Sequence, residues 1–175
     1  MAGRAVHEPF EAVVLPHLDA AFNLARWLMR GRGDAEDVVQ EALVRALTYF
    51  PSFRGTNPRG WLLQIVRHTA YASMKLNRGA MAPTEMPDAD DPALTDPADD
   101  PEAALMKRQN QARVAHSISA LEVELRETLV LRELEEMSYK EIAQITGVPI
   151  GTVMSRLWRA RRALAAAIKM EGAAP

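Results

Sequence analysis

The stretch Ser138-Tyr-Lys-Glu-Ile-Ala-Gln-Ile-Thr-Gly-Val-Pro-Ile-Gly-Thr-Val-Met-Ser-Arg-Leu157 decides the fold. Ser138 and Glu141 make a Ser-x-x-Glu capping box that starts a helix. Ala143 is small, as two closely crossing helices require. Gly147, four residues on, supplies the positive φ of a tight inter-helix turn. Pro149 suits the start of the next helix, and Val153, six residues past Gly147, is expected to sit inward. Together these match a helix-turn-helix of the kind that enters DNA.

At about 100° per residue, Val153, Leu157, Ala160, Leu164 and Ile168 fall on one stripe of the second helix. Thr152, Ser155, Arg159 and Arg162 gather opposite, with Arg156 at the edge. From Ile142 to Met170 there are five basic residues and no acidic one. A basic face alone is usually just a solvated face. Combined with the Ala-Gly-Val spacing, it becomes a footprint for phosphate backbone, with Arg and Ser also able to read base edges.

Outward from this motif the chain reads as helix throughout. The expected spans are 9–30, 34–50, 58–77, 104–118, 121–136, 138–146 and 150–169. Asp34, with Asp37 three residues on, has the form of an N-cap. No useful alternating run predicts a strand, and no internal repeat is present. The fold class is therefore all-α.

The net charge of −2 conceals a pattern. Residues 1–80 carry +3, residues 81–103 carry −8 and residues 104–175 carry +3. The acidic block holds Pro83, Pro87, Pro92, Pro97 and Pro101, which exclude helix interiors and favour extended backbone. It reads as a flexible linker over 81–103 between helical domains at 1–80 and 104–175. Within the first domain, residues 42–80 hold six basic residues and no acidic one, interleaved with Tyr49, Phe50, Phe53, Trp61 and Tyr71. Such a mixture suits single-stranded nucleic acid, where bases stack on rings and phosphates pair with cations. Taken alone, Phe50 and Trp61 favour a core role, whereas Phe53, Arg54 and Asn57, in a loop, are expected to be exposed. The acidic start of 34–43 favours a helix N-terminus by ~0.3–1 kcal/mol per carboxylate, and also suits docking to a basic partner.

Composition excludes other classes. The chain has 175 residues, 48% apolar and 25% charged, with no Cys, so disulfides, thiolate zinc sites and cysteine nucleophiles are absent. No leader-type apolar segment follows Met1 and no run reaches a membrane span, which predicts a soluble intracellular protein. His7, His17, His68 and His116 form no metal-spaced pair, and no phosphate-binding Gly-rich loop or nucleophile constellation is visible. No catalytic residue, metal or cofactor is expected, and the chain reads as a non-enzyme.

The order of motifs resembles a known family. Asp34-Ala-Glu-Asp-Val-Val-Gln-Glu41, Phe50-Pro-Ser-Phe-Arg-Gly55, Trp61-Leu-Leu-Gln-Ile-Val-Arg67, Glu133-Leu-Glu-Glu-Met-Ser-Tyr-Lys-Glu-Ile-Ala143 and Gly151-Thr-Val-Met-Ser-Arg-Leu-Trp-Arg-Ala-Arg161 are similar to bacterial sigma-70-type factors of the extracytoplasmic-function (ECF) group. These carry only regions 2 and 4. The resemblance implies a cytoplasmic bacterial factor that binds core RNA polymerase and directs it to promoters. Asp34, Glu36, Asp37, Gln40 and Glu41 would dock on the β′ clamp helices. Phe50, Phe53, Arg54, Asn57, Arg59, Trp61, Arg67, His68, Tyr71 and Lys75 would recognise and open the −10 element. Thr152, Met154, Ser155, Arg156, Arg159 and Arg162 would read the −35 element, near the β flap. Implied partners are core polymerase, promoter DNA and an anti-sigma factor, with no membrane or small-molecule substrate.

Three positions depart from the family pattern. His68 stands where Asn is frequent, Ala72 where Asp is frequent, and Met154 where a basic residue is frequent. The acidic linker averages ~25–30 Å as a free coil, reaches ~75–80 Å extended, and would bridge elements at least ~70 Å apart on DNA. Two roles are expected for it: following a basic channel of the polymerase, or covering basic faces of the free protein. The alternative to a sigma factor is a helix-turn-helix regulator that binds duplex DNA as a dimer without polymerase. It leaves the basic, aromatic 42–80 segment without a role, and a pure adaptor would not need the basic second helix.

Overall fold

The computed structural model describes residues 8–29, 31–77 and 100–172. These contain helices and loops and no strand. The first domain comprises α1 (Phe10–Val14), α2 (Leu18–Leu28), α3 (Arg32–Tyr49) and α4 (Pro58–Leu76). The second comprises α5 (Pro101–Ser119), α6 (Val123–Glu133), α7 (Tyr139–Thr146) and α8 (Ile150–Gly172).

The helix expected over 9–30 is broken. Pro16 lacks an N–H and its ring crowds the preceding turn, so Leu15–His17 tightens to a 3₁₀ turn between α1 and α2. Asp34 is not a cap, because α3 begins at Arg32 with the extended backbone of Gly31 before it. Asp34 lies instead in the first turn, where its charge favours the helix dipole. The expected linker also ends early, since α5 starts with Pro101 at its N-terminus, a position where a missing N–H costs nothing. Both roles expected for the linker rest on a segment whose residues 78–99 lie outside the described residues.

In the first domain α2, α3 and α4 pack around Leu24, Leu28, Val39, Leu62, Leu63 and Val66, all fully buried. Each such side chain contributes roughly 1.5–3 kcal/mol of burial. In the second, Leu131, Met137, Ile142, Val153 and Leu157 fill the core between α6, α7 and α8. The two domains also pack against each other, α4 on α7 and α2 on α6, and their buried apolar side chains form one cluster.

The helix-turn-helix forms as its sequence dictates. Ser138 and Glu141 close a reciprocal capping box. Gly147 takes φ 71° and its N–H donates to the Ala143 carbonyl. Val153, Leu157 and Ala160 are buried, and the stripe then fades, with Leu164 half-buried and Ile168 exposed.

Candidate nucleic-acid interface

The α3 helix buries Ala35, Val38, Val39, Ala42 and Ala46 and turns its other side outward. Asp34, Glu36, Asp37, Gln40 and Glu41 are all exposed on that side. Two of the carboxylates are held along the helix, Glu36 by Arg32 at 3.3 Å and Glu41 by Arg45 at 2.5 Å. Val44 and Leu47 extend the same face as exposed apolar side chains. Their exposure on the polar side of the helix was not anticipated; the signal was their position one and two turns beyond Gln40 and Glu41 on the acid side.

After α3 the chain forms a 3₁₀ turn at Phe50–Ser52 and an extended segment that leads into α4. Here the rings cluster. Phe50 meets Phe10 edge-on at 5.4 Å between centroids, and Phe53 lies 4.7 Å from Trp61. Phe53 is therefore half-buried rather than exposed as expected, because Trp61 on α4 offers it an apolar surface. Arg54 is exposed, and its guanidinium donates to the carbonyls of Pro51 and Phe53. Asn57 is also half-buried, for two reasons. Its Oδ1 accepts the Gly60 N–H at 2.9 Å as the cap of α4, and its Nδ2 donates to Glu141 Oε1 at 2.9 Å. A Cβ on Gly60 would stand 2.8 Å from the Asn57 amide, so this fold-back needs glycine there.

Along α4 the polar side chains meet the second domain. Arg59 donates to Glu135 at 2.5 Å, and Asn23 of α2 donates to the same carboxylate. Arg67 grips Glu127 through Nε at 2.8 Å and Nη2 at 3.1 Å, and its guanidinium lies 4.4 Å over the Tyr71 ring. His68 and Lys75 are exposed. On α8, Met154, Ser155, Arg159 and Arg162 are exposed and Thr152 is half-buried. Arg162 stacks over the exposed Trp158 ring at 5.0 Å, and Arg159 lies 3.8 Å from Glu122. Arg156 instead turns inward, with Nη1 3.7 Å from Glu127. The geometry thus brings Asn57, Arg59, Arg67, Tyr71 and Arg156 to one junction, and leaves His68, Lys75 and the rest of the α8 face apart from it.

Glu127 is the centre of this junction and is fully buried. Burial pushes its carboxyl above the ordinary range, opposed by the hydrogen bonds and charge of Arg67 and, more weakly, by Arg156. Burial works against the Arg67 charge as well, but hydrogen bonding and the charge of Glu127 hold that guanidinium above its usual value. The Tyr71 hydroxyl is buried without a well-formed hydrogen bond. Burial and the neighbouring Glu127 charge push it upward. Hydrogen bonds from the Ser138 backbone and hydroxyl hold Glu141 below the carboxylate range. His17 is lowered by burial and by the nearby Arg59 charge.

Glu127, Glu135 and Glu141 were not anticipated as partners of the α4 face, since pairing across domains leaves no mark in local spacing. Glu127 did carry a signal. At about 100° per residue it falls between Val123, Val130 and Leu131, a carboxylate inside an apolar stripe, and such a buried charge demands a cation. Among the described residues no group of His, Asp or Glu is arranged to hold a metal ion, and no helix is long and apolar enough to cross a membrane.

Comparison with known proteins agrees with this layout. The Sigma-70 region 2 family model matches residues 13–78, and that for Sigma-70, region 4 matches residues 111–164. The RNA polymerase sigma-H factor of Pseudomonas aeruginosa is 33% identical over 168 residues, 91% of this chain and 86% of that protein. The ECF RNA polymerase sigma-E factor of Escherichia coli K12 is 35% identical over 139 residues, 75% of this chain and 72% of that protein. The sigma factor RpoE of Bartonella quintana, solved with the anti-sigma factor NepR, shares the fold at TM-score 0.72 and 27% identity, covering 91% of this chain and 96% of that one. CnrH, solved with the cytosolic domain of CnrY, gives TM-score 0.65 and 26% identity, covering 92% of this chain and 88% of that one. Two helical domains in the order region 2 then region 4, with curated relatives matched over 72% and 86% of their length, leave one conclusion: the chain belongs to the ECF group of the sigma-70 family of RNA polymerase sigma factors, and directs promoter-specific transcription initiation.

Proposed function

We propose that three surfaces divide this work. The exposed α3 face, Asp34, Asp37, Gln40 and Glu41 with Glu36 beside them and Val44 and Leu47 beyond, docks on the β′ clamp helices of core polymerase. The Phe50–Asn57 loop and α4 recognise and open the −10 element. Phe53 and Trp61 provide a ring platform, and Asn57, Arg59, Arg67, His68, Tyr71 and Lys75 supply cations and polar groups along it. Unstacking a base costs a few kcal/mol, offset by stacking worth roughly 1–3 kcal/mol per base and by phosphate pairing. The outer face of α8, Thr152, Ser155, Arg159 and Arg162, reads the −35 element in the major groove near the β flap, joined by Arg156 once it leaves Glu127. Met154, exposed on that face, offers a contact to a thymine methyl where a hydrogen-bond donor is absent.

The observation that carries this reading is the α4 face itself. Its cations and amide hold carboxylates at 2.5–3.1 Å through Arg59, Arg67 and Asn57, geometry equally suited to phosphate oxygens. The factor makes and breaks no bond, works in the bacterial cytoplasm, and is controlled by an anti-sigma protein, as befits relatives solved in complex with one. Run-off transcription with core polymerase on genomic fragments, followed by start-site mapping, tests the reading. Defined starts that depend on the factor are expected. No transcription above core polymerase alone would refute it. Dimeric duplex binding without polymerase is not favoured, because the relatives that match the chain are RNA polymerase sigma factors.

A further inference from the structure

The −10 face and one −35 residue are already occupied, by the chain's own glutamates. Glu127 of α6 takes Arg67 of α4 on one side and Arg156 of α8 on the other. Glu135 takes Arg59, and Glu141 takes Asn57. We propose that the free factor is self-inhibited, its second domain seated on the first through Glu127, Glu135 and Glu141, which stand where promoter phosphates would. This rests on the assignment of α4 to −10 DNA.

Distance makes the closed state incompatible with promoter binding. Arg67 and Arg156 reach the same carboxylate, 2.8 Å and 3.7 Å away. Promoter elements more than two helical turns apart lie at least ~70 Å from each other. The two residues cannot serve their elements while both hold Glu127. Energetics make the closed state reversible. A buried ion pair regains little beyond its desolvation cost, so exposing it to water loses little net free energy. Removing one partner while the other stays buried is far worse, so the carboxylates and cations release together. The loop before α7 is built to present these acids: Glu136 holds φ 53°, and on either side of it Glu135 and Met137 turn inward.

The absence of cysteine allows a direct test. The Gln64 amide on α4 donates to the Gln144 carbonyl on α7 at 3.5 Å, and neither side chain is among those named above as contacting polymerase or DNA. The full chain carrying Gln64→Cys and Gln144→Cys is treated with a short bis-maleimide whose spacer holds a reducible disulfide. The free chain is expected to link within itself, while core polymerase added beforehand suppresses linking. The linked chain should lose at least ten-fold in run-off transcription and recover once the spacer is reduced. Failure of the free chain to link, linking indifferent to polymerase, or full activity of the linked chain would each overturn the lock. A reduced chain that stays folded but cannot direct transcription would instead overturn the assignment beneath it, and the lock with it. Glu135→Gln gives a second reading without any cross-link. Weakening one charge-assisted bond shifts the closed–open balance by about ten- to hundred-fold, so the free variant should bind a −10 single strand more tightly. Unchanged affinity would count against the lock.

Discussion

Two residues with left-handed backbone give opposite and quantitative expectations. Gly147 in the turn of the helix-turn-helix has φ 71°, and a Cβ built there meets nothing within 4 Å. Gly147→Ala therefore brings no clash, only the conformational penalty of roughly 1–2 kcal/mol for an L-residue in this region. Ala restricts the unfolded chain, which returns about 0.4–1 kcal/mol. The net loss is ~1 kcal/mol. Glu136 has φ 53°, is exposed and already bears that penalty. Glu136→Gly relieves it against the larger entropy of an unfolded glycine, for a net gain of ~1 kcal/mol. For a domain of this size 1 kcal/mol moves the melting temperature by roughly 4–8 °C. Calorimetric melts of both variants and of Gly147→Asn, which tolerates the left-handed region better, are the assay. A Gly147→Ala protein as stable as the parent, or a Glu136→Gly protein less stable, would refute the assignment of these positions as strained turns.

Other outcomes follow from burial and charge. Glu141 is held below its ordinary value of 4.5 by Ser138. Its ionised form is thus favoured in the fold, and its contribution is full above that value and lost as pH falls through the lower folded one. Glu141→Gln should flatten the decline in melting temperature on acidification below pH 4.5; an unchanged acid limb would assign that decline elsewhere. Leu157, 1% exposed on the buried side of α8, should cost about 2–5 kcal/mol when cut to Ala. Ile168→Ala, farther along the same stripe at 39% exposure, should stay within ~0.5 kcal/mol, and equal losses in chemical denaturation would show that the core does not taper. Val44→Ser with Leu47→Ser should leave stability within ~0.5 kcal/mol while weakening copurification with core polymerase about ten-fold; intact copurification would remove these residues from the docking face.

Most of the fold was legible because local rules decided it. The capping box, the glycine turn and the inward stripe of α8 involve residues close in sequence, and each forms as its spacing dictates. Pro16 was the exception in the first domain, where apolar periodicity ran on through a residue that cannot continue a helix. The aromatic loop was only half legible. Composition located Phe53 and Asn57, but their burial depends on Trp61 and Glu141, which approach from α4 and α7. The domain junction was least legible. Arg156 counted as part of a basic outer face until its partner was found 29 residues away at Glu127. Formal charge says how many carboxylates a segment carries, not which cation each one meets.

The closed arrangement leaves the two proposed working faces of the first domain unequal, and that inequality sets an order of events. Asp34, Asp37, Gln40, Glu41, Val44 and Leu47 remain exposed on α3 while Asn57, Arg59 and Arg67 are held on α4. On the proposed assignments, core polymerase finds its docking face free before the chain opens, whereas DNA meets its own face covered. The lock thus predicts that binding to polymerase comes first and promoter reading second, because contacts made through α3 do not compete for the α4 cations. The chain linked at positions 64 and 144 separates these steps. It should still copurify with core polymerase through α3, at reduced affinity because its second domain cannot engage, and yet fail to open a promoter. A linked chain that does not bind core polymerase at all would mean that opening precedes docking.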